Sequence, residues 1–129
     1  MKLYNSMGPN PHVVRMYAAE CGVDLELEAV DLMGGANRQS EYLALNPSGQ
    51  LPCLVMANGE ILAEITAICE YLDEQAAGVT LLGDSAEERA KVRMWTRRVD
   101  LNICEPLTSG FRYSEGCLLY TSPSPRDRG

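Results

Sequence analysis

The chain has 129 residues and a mass of 14.2 kDa, which suits one domain, or one small domain with part of another. It is 46% hydrophobic and 22% charged, so we expect a packed core. Eighteen acidic against eleven basic residues give a formal net charge of −7, which argues against nucleic acid as the main partner. There is no run of about eighteen apolar residues and no apolar stretch typical of a secretory signal near Met1, so we expect no membrane span and a cytoplasmic protein.

The cysteines are widely spaced, and the single histidine is His12. No Cys-x-x-Cys pair occurs, so the sequence predicts neither a metal site nor a dithiol redox motif. Scattered cysteines of this kind are expected to be reduced and structural.

The first part of the chain alternates strand and helix patterns. Residues 2–5 predict a short strand, and Asn10 followed by Pro11 predicts the start of a helix that stops at Gly22. Residues 24–30 alternate apolar and polar side chains, which predicts a half-buried strand. A short helix is expected over residues 38–45.

The next elements are a predicted hairpin and a predicted helix. Two apolar runs, at residues 51–56 and 60–62, flank Asn58-Gly59 and favour a β-hairpin. A helical period returns over residues 64–75. The order β-α-β-α-β-β-α indicates an α/β layer whose first two strands pair in parallel.

Residues 78–84 are interpreted as a linker, and residues 85–88 form a capping box that opens a long helix. Pro106 is expected to end or kink this helix. Its apolar stripe needs partner helices that the chain does not supply. The stripe consists of Val92, Trp95, Val99 and Ile103.

The segment 117–129 reads CLLYTSPSPRDRG and has no amphipathic period. Its composition fits a disordered tail. It resembles, more specifically, the translation of a transposase adapter used in preparing sequencing libraries. We therefore expect this segment to be non-native and the natural chain to be truncated after residue 116.

Two ordered motifs resemble a known family. Residues 46–52 read NPSGQLP and residues 62–72 read LAEITAICEYL. They are similar to the N-P-x-G-x-[VL]-P and L-x-E-S-x-A-I-x-x-Y-L elements of glutathione S-transferases. The resemblance implies a thioredoxin-like glutathione-binding domain over residues 1–77, a linker at 78–84 and the first part of an all-α C-terminal domain over 85–116. The GPNP loop at residues 8–11 looks most like the bacterial and fungal branch that lacks the usual catalytic Tyr, Ser or Cys.

The resemblance also implies a binding site for glutathione. Pro52 in the cis form would leave the backbone of Leu51 free for the cysteinyl residue. Glu64 would meet the γ-glutamyl ammonium, and the helix start that it precedes would meet the γ-glutamyl carboxylate. Arg38 would meet the glycyl carboxylate. The implied site residues are Arg38, Gln50, Leu51, Pro52, Glu64, Ile65 and Thr66.

Two of these residues also have a simpler structural interpretation. Without the motif, Pro52 is more simply an edge-strand proline, and Glu64 a charge at a helix start. Ile65 occupies the position of the family serine. The hydrogen bond that a serine hydroxyl would donate to the γ-glutamyl carboxylate is therefore missing, unless the Thr66 hydroxyl replaces it.

The implied reaction is attack of the glutathione thiolate on a small electrophile, with glutathione as co-substrate and no other cofactor. The usual thiol-activating position holds Gly8, which leaves Tyr4, Ser6 and Asn10 as local substitutes, with the helix dipole as a further contribution. Tyr4 is equally well interpreted as a core residue and Ser6 as a turn residue, so Ser6 and Asn10 are the candidate catalytic groups. The resemblance further implies detoxification and a homodimer when full length.

The main hypothesis is therefore a fragment of a glutathione transferase that is itself inactive. The alternative is a non-catalytic glutathione-binding or protein-interaction module. It is favoured by Gly8 and Ile65, which both depart from the family pattern. A thioredoxin or glutaredoxin type of oxidoreductase is excluded because residues 8–11 contain no cysteine.

Overall fold

The computed structural model describes residues 1–78 and 80–112. The chain forms two compact units that divide between Leu82 and Gly83. This division falls inside the segment 78–84 expected to be a linker, while the domain assignment itself stays a prediction. The adapter-like segment 117–129 lies outside the described residues, so its interpretation also stays a prediction.

The first unit is built on a four-stranded sheet. Strands β1 and β2 pair in parallel, and β3 pairs antiparallel with both β1 and β4, in the order β2-β1-β3-β4. The strands are β1 (Lys2–Asn5), β2 (Glu26–Ala29), β3 (Cys53–Val55) and β4 (Ile61–Ala63). The helices are α1 (Pro9–Cys21), α2 (Ser40–Leu45), which follows a 3-10 turn at Ala36–Arg38, and α3 (Ile65–Gln75). The predicted order of elements and the thioredoxin-like α/β class are confirmed.

Helix α1 begins earlier than predicted. Gly8 is the N-cap with extended backbone, Pro9 is the first helical residue, and no side chain caps the start. Asn10 is therefore not the cap that the sequence suggested, because Pro9 already supplies the fixed φ that suits a first turn. The predicted stop is correct, since Gly22 has a φ of 69° and its N–H bonds back to the last turn.

Two hydrophobic clusters lie on opposite faces of the sheet, because neighbouring residues of β3 point to opposite sides. Leu54 belongs to the cluster that β1 and β3 share with α1 and α3. Cys53 packs against Tyr42 of α2 in the other cluster. The prediction of a half-buried strand over residues 24–30 is correct only at its ends, where Leu25 and Val30 pack against the two clusters; all four residues of β2 itself are exposed, Leu27 by 49%. Strand β2 is at the sheet edge with one neighbour, which leaves most of its surface in solvent.

The second unit contains α4 (Ala86–Val99), a π-helical turn (Asp100–Cys104) and α5 (Glu105–Arg112). The capping box is confirmed, because the Ser85 hydroxyl accepts from the Glu88 N–H at 3.1 Å. Pro106 does not end the helical path. It is the second residue of α5. Proline has no backbone N–H and its ring crowds the preceding helical turn, and the wider π turn just before Pro106 accommodates both properties.

The apolar stripe of the second unit is exposed to solvent. No residue of α4 is buried, and Trp95 is 58% exposed. In the part of the chain that the structure describes, no helix combines the length and the apolar character needed to cross a membrane.

Candidate functional site

Three chain segments meet at one end of the sheet of the first unit. Tyr4 of β1 pairs with Cys53 of β3, and Cys53 pairs with Ala63 of β4. The residues just beyond these pairs, 5–8, 51–52 and 64–66, therefore lie together at that end. Most of the predicted site residues belong to these segments.

The Leu51–Pro52 peptide bond is cis, as predicted. Pro52 immediately precedes β3, which has a neighbour on each side, so the edge-strand interpretation of this proline is wrong. Leu51 is 8% exposed. Within residues 1–78 and 80–112, no hydrogen bond from the chain engages its backbone N–H or C=O. These two groups are available to a peptide-like ligand.

A buried polar network holds the loop that leads to Leu51. The Gln50 carbonyl accepts from the Tyr42 hydroxyl at 2.6 Å and from the Asn46 side-chain amide at 2.8 Å. The Gly49 carbonyl accepts from the Asn37 amide at 2.9 Å, and Gly49 has a φ of 69° that favours glycine. The backbone of this loop is thus fixed by side chains from the α2 region.

Sequence reasoning missed Tyr42 and Asn37. Burial, together with the nearby Cys53 sulfur, raises the pKa of the Tyr42 hydroxyl, so this group stays protonated and donates. Arg38 follows Asn37 in the same 3-10 turn and is exposed. The bond from Asn37 to Gly49 therefore brings Arg38 beside the cis-proline loop.

Glu64 has an unusual backbone. It is the N-cap of α3 with φ 75° and ψ 122°, the one positive φ among the non-glycine residues that the structure describes. Such a conformation costs on the order of 1–3 kcal/mol and is typical of ligand sites. No side chain caps α3, so the N–H groups of its first turn can donate hydrogen bonds to an anion. The Glu64 and Thr66 side chains are exposed, while Ile65 packs against the core.

The loop before α1 is held by one arginine. Nη1 of Arg15 donates to Oδ1 of Asn5 and to the Ser6 carbonyl, the latter at 3.1 Å. Nη2 of Arg15 lies 3.2 Å from Nδ1 of His12. The Ser6 hydroxyl accepts from the Gly8 N–H at 3.2 Å. Sequence reasoning also missed the role of Arg15. The available signal was a basic residue within two turns of the predicted helix start.

Comparison with known proteins identifies the family. A family model described as the N-terminal domain of glutathione S-transferases matches residues 7–75. The chain belongs to the glutathione S-transferase family.

Individual relatives agree with this assignment. Glutathione S-transferase 2 of Saccharomyces cerevisiae is 32% identical over 109 residues, which cover 83% of this chain and 47% of that protein. Glutathione S-transferase 3 of Zea mays is 42% identical over 99 residues, covering 74% and 43%. A glutathione S-transferase domain-containing protein of Marinobacter aquaeolei has a solved structure with a TM-score of 0.82 and 36% identity, covering 87% and 56%. The chain thus spans about half the length of the relatives it matches.

The buried cysteines of this glutathione S-transferase chain are poor nucleophiles. Burial raises the pKa of Cys53 and Cys21, and it raises the pKa of Cys69 to about 11. These thiols are protonated at neutral pH, and only thiolates attack electrophiles. These three thiols are therefore poor candidates for a nucleophile.

Proposed function

We propose that this chain binds glutathione at the end of the sheet. We further propose that the full-length protein is a glutathione transferase that promotes attack of the glutathione thiolate on a small electrophile. One observation carries the proposal: the unpaired backbone of Leu51 lies beside the uncapped start of α3 with Glu64. Glutathione presents a peptide backbone next to a free carboxylate and ammonium, so it matches both features.

Each part of glutathione has a complementary group. The cysteinyl N–H and C=O pair with Leu51 as a short strand would. The γ-glutamyl carboxylate accepts from the N–H groups at Ile65 and Thr66, and its ammonium faces Glu64. The glycyl carboxylate meets Arg38. Ile65 offers no hydroxyl, so the backbone of α3 carries the carboxylate contact, with the exposed Thr66 hydroxyl as a second donor.

The end of the sheet supports a position for the thiol. Tyr4 pairs with Cys53, and the chain beyond this pair leads to Ser6 on one strand and to Leu51 on the other, so Ser6 and Leu51 lie at the same end of the sheet. We expect a cysteinyl residue held by Leu51 to direct its sulfur toward Ser6 and the start of α1. A free thiol has a pKa of about 8.5, and a downward shift of one unit requires about 1.4 kcal/mol of preferential thiolate binding. The α1 dipole and the Ser6 hydroxyl supply such binding, while Asn10 lies within the first turn of α1 as a further polar group.

Calorimetric titration of the 129-residue chain with glutathione tests the binding half of the proposal. We expect saturable binding that is retained with S-methylglutathione, whose thioether cannot ionise. Absence of binding by a chain that is folded by circular dichroism would contradict it. Turnover of an aryl halide by the full-length protein tests the catalytic half, with glutathione as the co-substrate, no other cofactor and a homodimer as the expected assembly.

A non-catalytic glutathione-binding or protein-interaction module is the second candidate. It is favoured by Gly8, which offers no side chain at the usual activating position, and by Ile65 in place of serine. The two candidates separate cleanly, because a module binds glutathione in the full-length protein but leaves the aryl halide unreacted.

A further inference from the structure

We propose that Arg15 is a positioning residue for the thiol of bound glutathione. It acts through Ser6, whose main chain it holds by a hydrogen bond to the carbonyl, and it adds a positive charge beside the same loop. This inference rests on the proposed function, because it concerns the protonation state of the ligand bound at that site.

The contacts of Arg15 connect three parts of the chain. Its guanidinium reaches Asn5 at the end of β1, the Ser6 carbonyl in the following loop, and His12 in the first turns of α1. A guanidinium presents several N–H donors in a rigid plane, and its hydrogen bonds are charge-assisted. One side chain therefore sets the position of the loop relative to the helix start.

These contacts leave the proton of the Ser6 hydroxyl available for a hydrogen bond. The Ser6 carbonyl is bonded to Arg15, and Oγ accepts from the Gly8 N–H. A hydroxyl carries one proton to donate, and neither contact uses it. Because Ser6 and Leu51 belong to segments that lie together beyond the Tyr4–Cys53 pair, the acceptor we propose for this proton is the cysteinyl sulfur of glutathione held at Leu51. A hydrogen bond donated to the charged form stabilises the thiolate over the thiol.

The charge of Arg15 acts in the same direction. Among the described residues no carboxylate contacts Arg15, so its charge is not cancelled locally. The titratable side chain that contacts it is His12. The Arg15 guanidinium lies 3.2 Å from Nδ1 of His12 and can only donate in such a contact. Arg15 thus presents a positive charge beside the start of α1.

The test compares two ligands on Arg15→Met. The thiol pKa of bound glutathione is measured by titrating the ultraviolet absorbance of the thiolate, and affinity for S-methylglutathione is measured by calorimetry. We expect the bound thiol pKa to rise by about one unit, a tenfold loss of thiolate at fixed pH. Affinity for S-methylglutathione should change by less than about twofold. Arg97→Met removes an equal charge from the exposed surface of α4 and should change neither quantity.

Two further variants keep the test decisive if Arg15→Met does not fold. Ser6→Ala should reproduce the rise in thiol pKa, and Arg15→Lys, which keeps the charge but not the planar fork, should give an intermediate value. An unchanged thiol pKa in these variants overturns the inference, as does a parallel loss of affinity for S-methylglutathione, which would assign Arg15 to the shape of the whole pocket. A wild-type chain that binds neither ligand refutes the proposed function itself and the inference with it.

Discussion

The buried carboxylate of Asp73 near the end of α3 joins α3 to α1 and to the segment that follows α3, and its replacement by asparagine tests the stability of the first unit. Asp73 is 6% exposed. Its Oδ1 accepts from the Tyr17 hydroxyl at 2.8 Å and from the Leu81 N–H at 2.7 Å, and its Oδ2 accepts from the Thr80 hydroxyl. One carboxylate therefore ties α1 and the segment after α3 to α3 itself. We predict that Asp73→Asn destabilises the first unit.

The magnitude follows from these bonds. Burial acts to raise the pKa of Asp73, but the hydrogen bonds from Thr80, Leu81 and Tyr17 outweigh it and the pKa is lowered. The group is therefore ionised at neutral pH. Hydrogen bonds to charged groups contribute about 1.5–3 kcal/mol each, and asparagine keeps one acceptor oxygen, so we expect a loss of about 2–3 kcal/mol. In a domain of this size that corresponds to roughly 10–20 °C in Tm.

Urea unfolding at neutral pH, followed by circular dichroism, measures this loss. The matched control is Glu74→Gln, an exposed neighbour on α3, which should stay within about 0.5 kcal/mol of wild type. The lowered folded-state pKa also fixes the pH dependence. The advantage of Asp73 over asparagine is complete above the unfolded pKa of about 3.9 and is lost as the pH falls through the lower folded pKa. An unchanged unfolding midpoint at neutral pH, or an advantage that grows on acidification, would refute this reasoning.

Three further predictions concern the glutathione site, and calorimetry measures each. Glu64→Gln should weaken glutathione binding about tenfold to a hundredfold, because a charge-assisted hydrogen bond to the ammonium is lost. Glu60→Gln is the control. Equal affinities of wild type and Glu64→Gln for glutathione would mean that Glu64 is only a charge at the start of α3. Ile65→Ser should strengthen binding by a smaller factor, and weaker binding would show that the lost core packing dominates. Tyr42→Phe should weaken binding about threefold to tenfold by releasing the Gln50 carbonyl, whereas an unaltered affinity would mean that the Asn46 bond alone holds the loop.

Local patterns predicted most of the fold. The hairpin of β3 and β4 follows from Asn58-Gly59 between two apolar runs, and the stop of α1 follows from Gly22, because these signals depend on a few neighbouring residues. The errors arose where the outcome depends on distant partners. The period-two alternation of residues 24–30 indicates a strand, but the exposure of β2 depends on its place at the sheet edge. The helical path through Pro106 depends on a π turn that has no simple sequence signal.

The candidate site shows the same contrast between local features, which were predicted, and contacts between separate segments, which were not. The motif at residues 46–52 was enough to predict the cis bond before Pro52. The hydrogen bonds that hold this site in place were not predicted, because each joins two separate segments of the chain. Asn37 meets Gly49 across 12 positions and Arg15 meets Asn5 across ten. A single polar residue on a helix has no period that distinguishes a buried hydrogen-bonding role from an exposed one.

Two departures from the family pattern, at Gly8 and Ile65, have different physical consequences. Ile65 exchanges a hydroxyl for packing against the core, yet the start of α3 still presents its uncapped N–H groups, so binding through the backbone survives the substitution. Gly8 has no side chain that could donate to the thiol of the proposed ligand, and its own N–H already bonds to the Ser6 hydroxyl. In the proposed function, recognition of the peptide part of glutathione would therefore rest on main-chain geometry that tolerates sequence change. Activation of the thiol would rest on side chains, and Ser6 held by Arg15 is the group that we propose for it.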